Sequence, residues 1–260
     1  MSKTVFFTIC SDRFYYQGGG LIFINSFKRF HPDIDLVVFR QDTMDKYLDL
    51  NLDRARLPYS SNGKKASYST AKPFIARLLS KKYKKVVNMD ADTVITGRLD
   101  AILADDWDVG GAWNLNDYEN ASFENITPEM YVQCGLVAST TPLLWEKWNT
   151  LNTEAFSYKR FENDILNRVL YNDPKIKKLR LKIFDKDKDY YGVKSLTHEH
   201  EMYIENNELM LKGEKVKAYH QAKGSTLPKL RFETLGFTPQ VVDWLYNLGV
   251  YGQSITIKGI

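Results

Sequence analysis

An α/β fold is predicted by three observations. Thr4 to Ile9 is a β-rich run with few polar residues, "GGGLIFINSFKRFHP" has enough apolar residues for a helix that Pro32 stops, and "DIDLVVF" is a second buried strand. The alternation recurs where "YSTAKPFIARLLSKKY" runs straight into the strand of Val86, Val87 and Met89. With 260 residues, 43% of them hydrophobic, the chain can bury a sizeable core. Strands and helices in this order build a sheet covered by helices, which takes ligands at the C-terminal edge of its strands.

Each element carries its own signal. In the "YSTAKPFIARLLSKKY" helix, Ser69 or Thr70 caps, Pro73 suits the first turn, and Phe74, Ile75, Leu78 and Leu79 share a face. Lys81, Lys82, Lys84 and Lys85 follow at its C-terminal end, where they suit the helix dipole and a solvated face. "YVQCGLVAST" reads as a strand and "TPLLWEKWNTL" as a helix with Leu144, Trp148 and Leu151 inward. "ENDILNRVLYN" is a further helix, with Ile165, Leu166, Val169 and Leu170 on one face. Asp173 to Asp189 reads as exposed connection holding one strand in "KLRLKIF". The chain shows no internal repeat, which gives one domain over residues 1–226 and a helical C-terminal extension over 227–260.

Composition narrows the function. A net charge of +4 comes from lysines set among many acids, weaker than the basic stripe of a dedicated nucleic-acid binder yet compatible with a nucleotide. Cys10 and Cys134 lack zinc-site spacing and read as reduced, buried thiols. "MSKTVFFTICSDR" has no cleavage site and no segment reaches transmembrane length, so a cytoplasmic location is expected. The sequons at Asn120 and Asn125 then read as chance matches. Gly18, Gly19 and Gly20 lack the G-x-G-x-x-G spacing of a dinucleotide fold and suggest a flexible start to the first helix.

The chemistry concentrates in "VVNMDADTVITG". A buried strand running into two carboxylates needs a positive partner, because unpaired buried charge is costly. In an ideal strand Asp90 and Asp92 share a face, with Ala91 pointing away. Two hard oxygen ligands suit Mn²⁺ or Mg²⁺, which completes its shell with phosphate oxygens. The competing reading is structural, with one aspartate capping the turn and the other meeting a lysine.

"KVVNMDADTVITGRLDAIL" resembles the DxD region of GT-A fold glycosyltransferases. Together with "TAKPFIARLL" it is most similar to glycosyltransferase family 8, which includes glycogenin and bacterial lipopolysaccharide galactosyltransferases. The resemblance implies a single Rossmann-like GT-A domain with a mixed, mostly parallel central sheet flanked by helices. It also implies a nucleotide-sugar donor, a UDP-sugar first, and a metal held by Asp90 and Asp92, with Asp90 also near the ribose. "QCGLV" resembles the family's Asn-x-Gly-Val strand and puts Gln133 where an asparagine contacts the donor sugar. "FENDILN" resembles its Asp-Gln-Asp-x-Leu-Asn helix start, placing Glu162, Asn163 and Asp164 at the catalytic positions. "AYHQAKGS" resembles its late histidine motif, making His220 the third metal ligand. The family's phosphate lysine lies six residues after that histidine, at Thr226 here, so Lys223 beside Gly224 takes its place, with Lys229 as second choice. By the same resemblance Thr8, Ser11, Asp12 and Tyr15 hold the nucleoside and Lys72 stands near the donor.

The reaction so implied is sugar transfer to an acceptor hydroxyl with retention at the anomeric carbon. Alternatives are inversion with Glu162 or Asp164 as base, a sugar-1-phosphate nucleotidyltransferase, and a non-catalytic nucleotide-sugar binding module. The acceptor class is open between glycan and protein, with nucleic acid weaker despite Lys64 and Lys65. Tyr190 and Tyr191 sit in an exposed-looking segment that makes self-glycosylation conceivable. "GFTPQVVDWLYNLGVYGQ" is amphipathic and suits packing, a homodimer contact or a membrane surface.

Overall fold

A computed structural model of the chain describes residues 4–10, 14–15, 19–40, 68–113, 126–127, 130–155, 162–184, 189–194, 199–220 and 236–250. Its strands are β1 (Thr4–Cys10), β2 (Asp35–Arg40), β3 (Lys85–Met89), β4 (Thr93–Ile95), β5 (Val109–Trp113), β6 (Val132–Ser139), β7 (Leu181–Ile183), β8 (Val193–Lys194), β9 (Met202–Glu205), β10 (Glu208–Leu211), β11 (Glu214–Lys215) and β12 (Ala218–His220). Its helices are α1 (Gly19–Phe30), α2 (Tyr68–Leu79), α3 (Asp100–Leu103), α4 (Pro142–Ala155), α5 (Glu162–Asn172) and α6 (Pro239–Val250).

The central sheet has the order β2-β1-β3-β6-β5-β7. β6 runs antiparallel to both neighbours and the other pairings are parallel, so the sheet is mixed and mostly parallel. Side chains alternate across it: Val5, Phe7, Val86 and Val137 join a cluster with α2, α4 and α5, while Phe6, Val87, Leu136 and Ala138 join α1 and α3 on the other face. Both faces are thus covered by helices, which explains strands that read as nearly continuous apolar runs. A third cluster, formed by Val94, Val193, Leu209, Leu211 and Tyr219, is closed by Phe237, Val241, Val242 and Leu245 of the C-terminal stretch. The apolar face of α6 is therefore covered within the chain, and Trp244 donates to Asn207 Oδ1 at 2.9 Å.

Several local expectations are corrected. α2 begins at Tyr68, so Pro73 lies inside the helix and not in its first turn. Lys85 is buried, not solvated: its ammonium donates to the carbonyls of Ile102, Leu103 and Ala104 at 3.2, 2.8 and 2.5 Å, satisfying the C-terminal end of α3. Gly19 and Gly20 are close-packing residues; a Cβ on Gly19 would stand 2.3 Å from the Phe14 ring, and one on Gly20 2.8 Å from Cys10 Sγ. Tyr191 is buried beside α3, its hydroxyl accepting from Ala101 N–H at 3.4 Å, so it offers no surface acceptor. Cys10 and Cys134 are buried thiols outside any disulfide, as expected.

One irregularity shapes the site. Between β5 and β6 the register moves from Gly111↔Val137 to Ala112↔Gln133, leaving Cys134, Gly135 and Leu136 without β5 partners. Backbone groups released in this way need other partners when buried. They find them on the far side, among residues that converge at the C-terminal end of β3.

Candidate active site

Asp90, Ala91 and Asp92 follow the last residue of β3 and form a turn into β4, which corrects the reading of an alternating strand. Thr93 N–H closes the turn on the Asp90 carbonyl at 3.1 Å, and Asp90 N–H donates to the Gly135 carbonyl at 2.9 Å. β12 pairs antiparallel with β4 and sets His220 opposite Thr93, beside the turn. His220 Nε2 lies 3.0 Å from Asp92 Oδ1 and 3.6 Å from Asp90 Oδ2. Ligand atoms of the three residues all lie within 4.8 Å of one another. Beneath them is Gly135, where a Cβ would stand 2.6 Å from His220 Cε1 and 3.3 Å from Asp90 Oδ2.

Lys72 of α2 connects this cluster to α5. Its Nζ lies 2.7 Å from Asp90 Oδ1 and 3.0 Å from Glu162 Oε1, and donates to the Cys134 carbonyl at 3.3 Å. Asn88 Nδ2 donates to the same carbonyl at 3.0 Å, and Asn163 Oδ1 accepts from Cys134 N–H at 2.8 Å. Asn167, one turn along α5, exchanges both hydrogen bonds with Val132, at 2.8 and 2.7 Å. Amide side chains thus bond the Cys134 backbone where the ladder is interrupted, and Asn163 and Asn167 fix α5 against β6.

The charges stabilise one another. Burial alone would lower the Lys72 pKa, but Asp90, Cys134 and Glu162 outweigh it and hold the ammonium charged well above its ordinary range. Burial lifts the Glu162 carboxyl above its usual value, against the pull of Lys72. Burial would also raise Asp92 and lower His220, yet their mutual attraction wins and moves each the other way. Burial, reinforced by Glu162, pushes the Cys134 thiol well up, so it is an inert group within the site.

The remaining expected residues fall into three groups. Gln133 is buried, with Oε1 3.1 Å from His220 Nδ1 and its Nε2 on the carbonyls of Gly192 (2.6 Å) and Trp113 (3.3 Å). Asp164 is buried with Oδ1 accepting from the Tyr131 hydroxyl at 2.5 Å, a packing contact on α5. On β1 and just after it, Thr8 is buried with no hydrogen-bond partner for Oγ1 among the described residues, and the Arg40 guanidinium lies 4.9 Å from the centre of the Tyr15 ring. Ser11, Asp12, Lys223, Gly224, Thr226 and Lys229 lie outside the described residues, as do the sequon asparagines Asn120 and Asn125. Gly135 and Asn88 were not singled out from the sequence, although a glycine and a buried amide inside apolar strands are signals of close approach and of backbone support.

The sheet order, the antiparallel β6 and the carboxylate turn at the end of β3 make up the GT-A fold of glycosyltransferases. No family model and no curated protein sequence matches the chain. Solved structures do match. The galactosyltransferase LgtC, in complex with donor and acceptor sugar analogues, is 12% identical over 97% of both chains with a TM-score of 0.53. The bifunctional glycosyltransferase WbbM, in its apo form, is 17% identical with a TM-score of 0.53 over 95% of this chain; the chain spans 52% of that protein's length. A glycosyltransferase involved in glycosylation of the major capsid of PBCV-1 is 9% identical over 90% of this chain and 98% of its own, with a TM-score of 0.51. At these identities the likeness is one of fold. No described helix is long and apolar enough to cross a membrane.

Proposed function

We propose that the protein is a metal-dependent glycosyltransferase that moves a sugar from a nucleotide-sugar, a UDP-sugar first, to an acceptor hydroxyl with retention. The observation that carries this is the convergence of Asp90, Asp92 and His220 at the C-terminal edge of a GT-A sheet. Two carboxylates and an imidazole are a donor set that suits Mn²⁺, with Mg²⁺ as the harder alternative, and their spacing leaves each able to offer one atom to a common centre. When bound, such an ion supplies Lewis-acid neutralisation of the charge on a leaving diphosphate.

The protein's own groups then divide the remaining work. Lys72 keeps Asp90 and Glu162 in place with a permanent positive charge. Glu162, and Asn163 beside it, face the donor sugar, and the carboxylate supports positive charge developing at its anomeric carbon. Thr8 has a free Oγ1 among the described residues and suits a nucleoside hydrogen bond, with Ser11, Asp12 and Tyr15 completing that pocket. Lys223 and Gly224 serve the diphosphate. Retention is preferred over inversion because the segments around Gln133, Glu162 and His220 together resemble a retaining family. Residues 1–226 form the transferase unit in the cytoplasm, and 227–260 extend it, with Phe237, Val241, Val242 and Leu245 closing the third core.

Release of nucleotide from UDP-, GDP- and TDP-sugars, measured with Mn²⁺ or EDTA, tests this reading. Metal-dependent turnover of one donor is expected, falling at least roughly 100-fold in Asp92→Asn. Turnover that is equal in EDTA, or unchanged in the variant, contradicts it.

A further inference from the structure

We propose that the guanidinium of Arg40, seated on the Tyr15 ring, is the surface on which the nucleobase of the donor stacks. The inference rests on the proposed nucleotide-sugar reading and adds a base-binding residue that this reading does not include. Arg40 is the last residue of β2 and pairs with Cys10, the last residue of β1. On the other side of β1, Phe7 pairs with Asn88, which comes shortly before Asp90 in the chain. Arg40 thus stands two strands from the carboxylate turn along one sheet edge, about 10 Å at the usual strand spacing. A nucleoside spans that distance between its diphosphate and its base. With the sugar on the β6 side, beside Glu162, the base falls toward the ends of β1 and β2.

The groups concerned share one face of the sheet. Phe6, Leu36 and Val38 pack in the cluster beneath α1, so Thr8 and Arg40, each one alternation further along its strand, lie on the same face. Thr8 is buried there, with no partner for Oγ1 among the described residues. β4, which leads on from the carboxylate turn, is tied to this face as well: Ile95 N–H donates to Ser26 Oγ of α1 at 3.1 Å. Tyr15 packs against the same cluster and sits close on α1, where a Cβ on Gly20 would stand 3.2 Å from its Cα. Arg40 Cζ then lies 4.9 Å from the centre of the Tyr15 ring. A guanidinium held on an aromatic ring is already ordered before a ligand arrives, and its plane can stack on a second π system. Bases stack on arginine planes as they do on aromatic rings. Tyr15 therefore acts from behind Arg40, setting the guanidinium in place, while Arg40 meets the base.

The test compares two probes by calorimetric titration in Mn²⁺: UDP, which has the base, and inorganic pyrophosphate, which lacks it. Arg40→Met should bind UDP roughly 10-fold more weakly and pyrophosphate as the wild type does, which also shows that the variant is folded. Arg40→Lys keeps the charge without the plane and should show the same split. Tyr15→Phe keeps the ring and should leave UDP affinity near that of the wild type. Tyr15→Leu should lose as much as Arg40→Met, with no further loss when the two are combined, because they act as one unit. Wild-type UDP affinity in Arg40→Met and Arg40→Lys overturns the proposal. So does an equal loss of UDP and pyrophosphate, which would put Arg40 at the diphosphate, or a loss of UDP in Tyr15→Leu alone, which would put the base on Tyr15. A wild type that binds pyrophosphate as tightly as UDP sinks this inference alone, whereas one that binds neither probe sinks the nucleotide reading with it.

Discussion

At the scale of single residues, small and amide side chains decide whether the charged ones can meet. Gly135 is the sharpest case, because any side chain there would enter the space held by the His220 ring and Asp90 Oδ2. Gly135→Ala should cost about 1–3 kcal/mol of stability through overpacking. It should also weaken Mn²⁺ binding at least roughly tenfold by moving a ligand, which calorimetric titration measures. An alanine variant with wild-type affinity would show that the ring does not need its present position. Asn88 and Asn163 act more quietly, supplying hydrogen bonds to the Cys134 backbone, which the register shift leaves without a β5 partner, while Asn167 ties α5 to Val132.

At the scale of elements, the pairing of β4 with β12 and the ends of short helices hold the most information that a linear reading lacks. Asp90 and Asp92 were legible because they stand two positions apart in the chain and interrupt an apolar run. His220 was legible only through family resemblance, since its place beside them depends on the β4–β12 register. Lys85 was misread because its carbonyl partners belong to a helix that follows it by more than a turn of chain, and no periodicity reports such a contact. His31 is similar. It is fully buried after α1, its Nε2 accepts from Leu99 N–H at 3.2 Å, and its ring packs on Phe6 and Phe27. Burial, with help from Arg98, lowers its pKa to about 4. Because the folded value lies below the unfolded one of about 6.5, the unfolded chain binds the proton first. Stability should hold above pH 6.5 and fall by up to about 3 kcal/mol as pH drops toward 4. Urea midpoints from pH 7.5 to 4.5 measure this slope, which should flatten in His31→Gln; an equal slope in the variant would assign the loss to other groups.

At the scale of the whole molecule, a mostly parallel sheet with both faces covered brings the ends of β1, β3 and β6 to one edge, and three separate clusters support that edge. The third cluster matters most for the site, because α6 and the β9–β11 sheet pack around Tyr219, the neighbour of His220. The alternation of strands and helices foretold the sheet, whereas the reversal of β6 that makes it mixed has no signature in the apolar pattern of that strand. The central claim is that this edge joins a divalent ion to a nucleoside diphosphate. Calorimetric titration of UDP into the protein tests it most directly, with Mn²⁺ and then with EDTA, on wild type and on Asp92→Asn. The account predicts UDP binding that needs Mn²⁺ and disappears in the folded variant. UDP binding of equal strength in EDTA, or kept in Asp92→Asn, would contradict it.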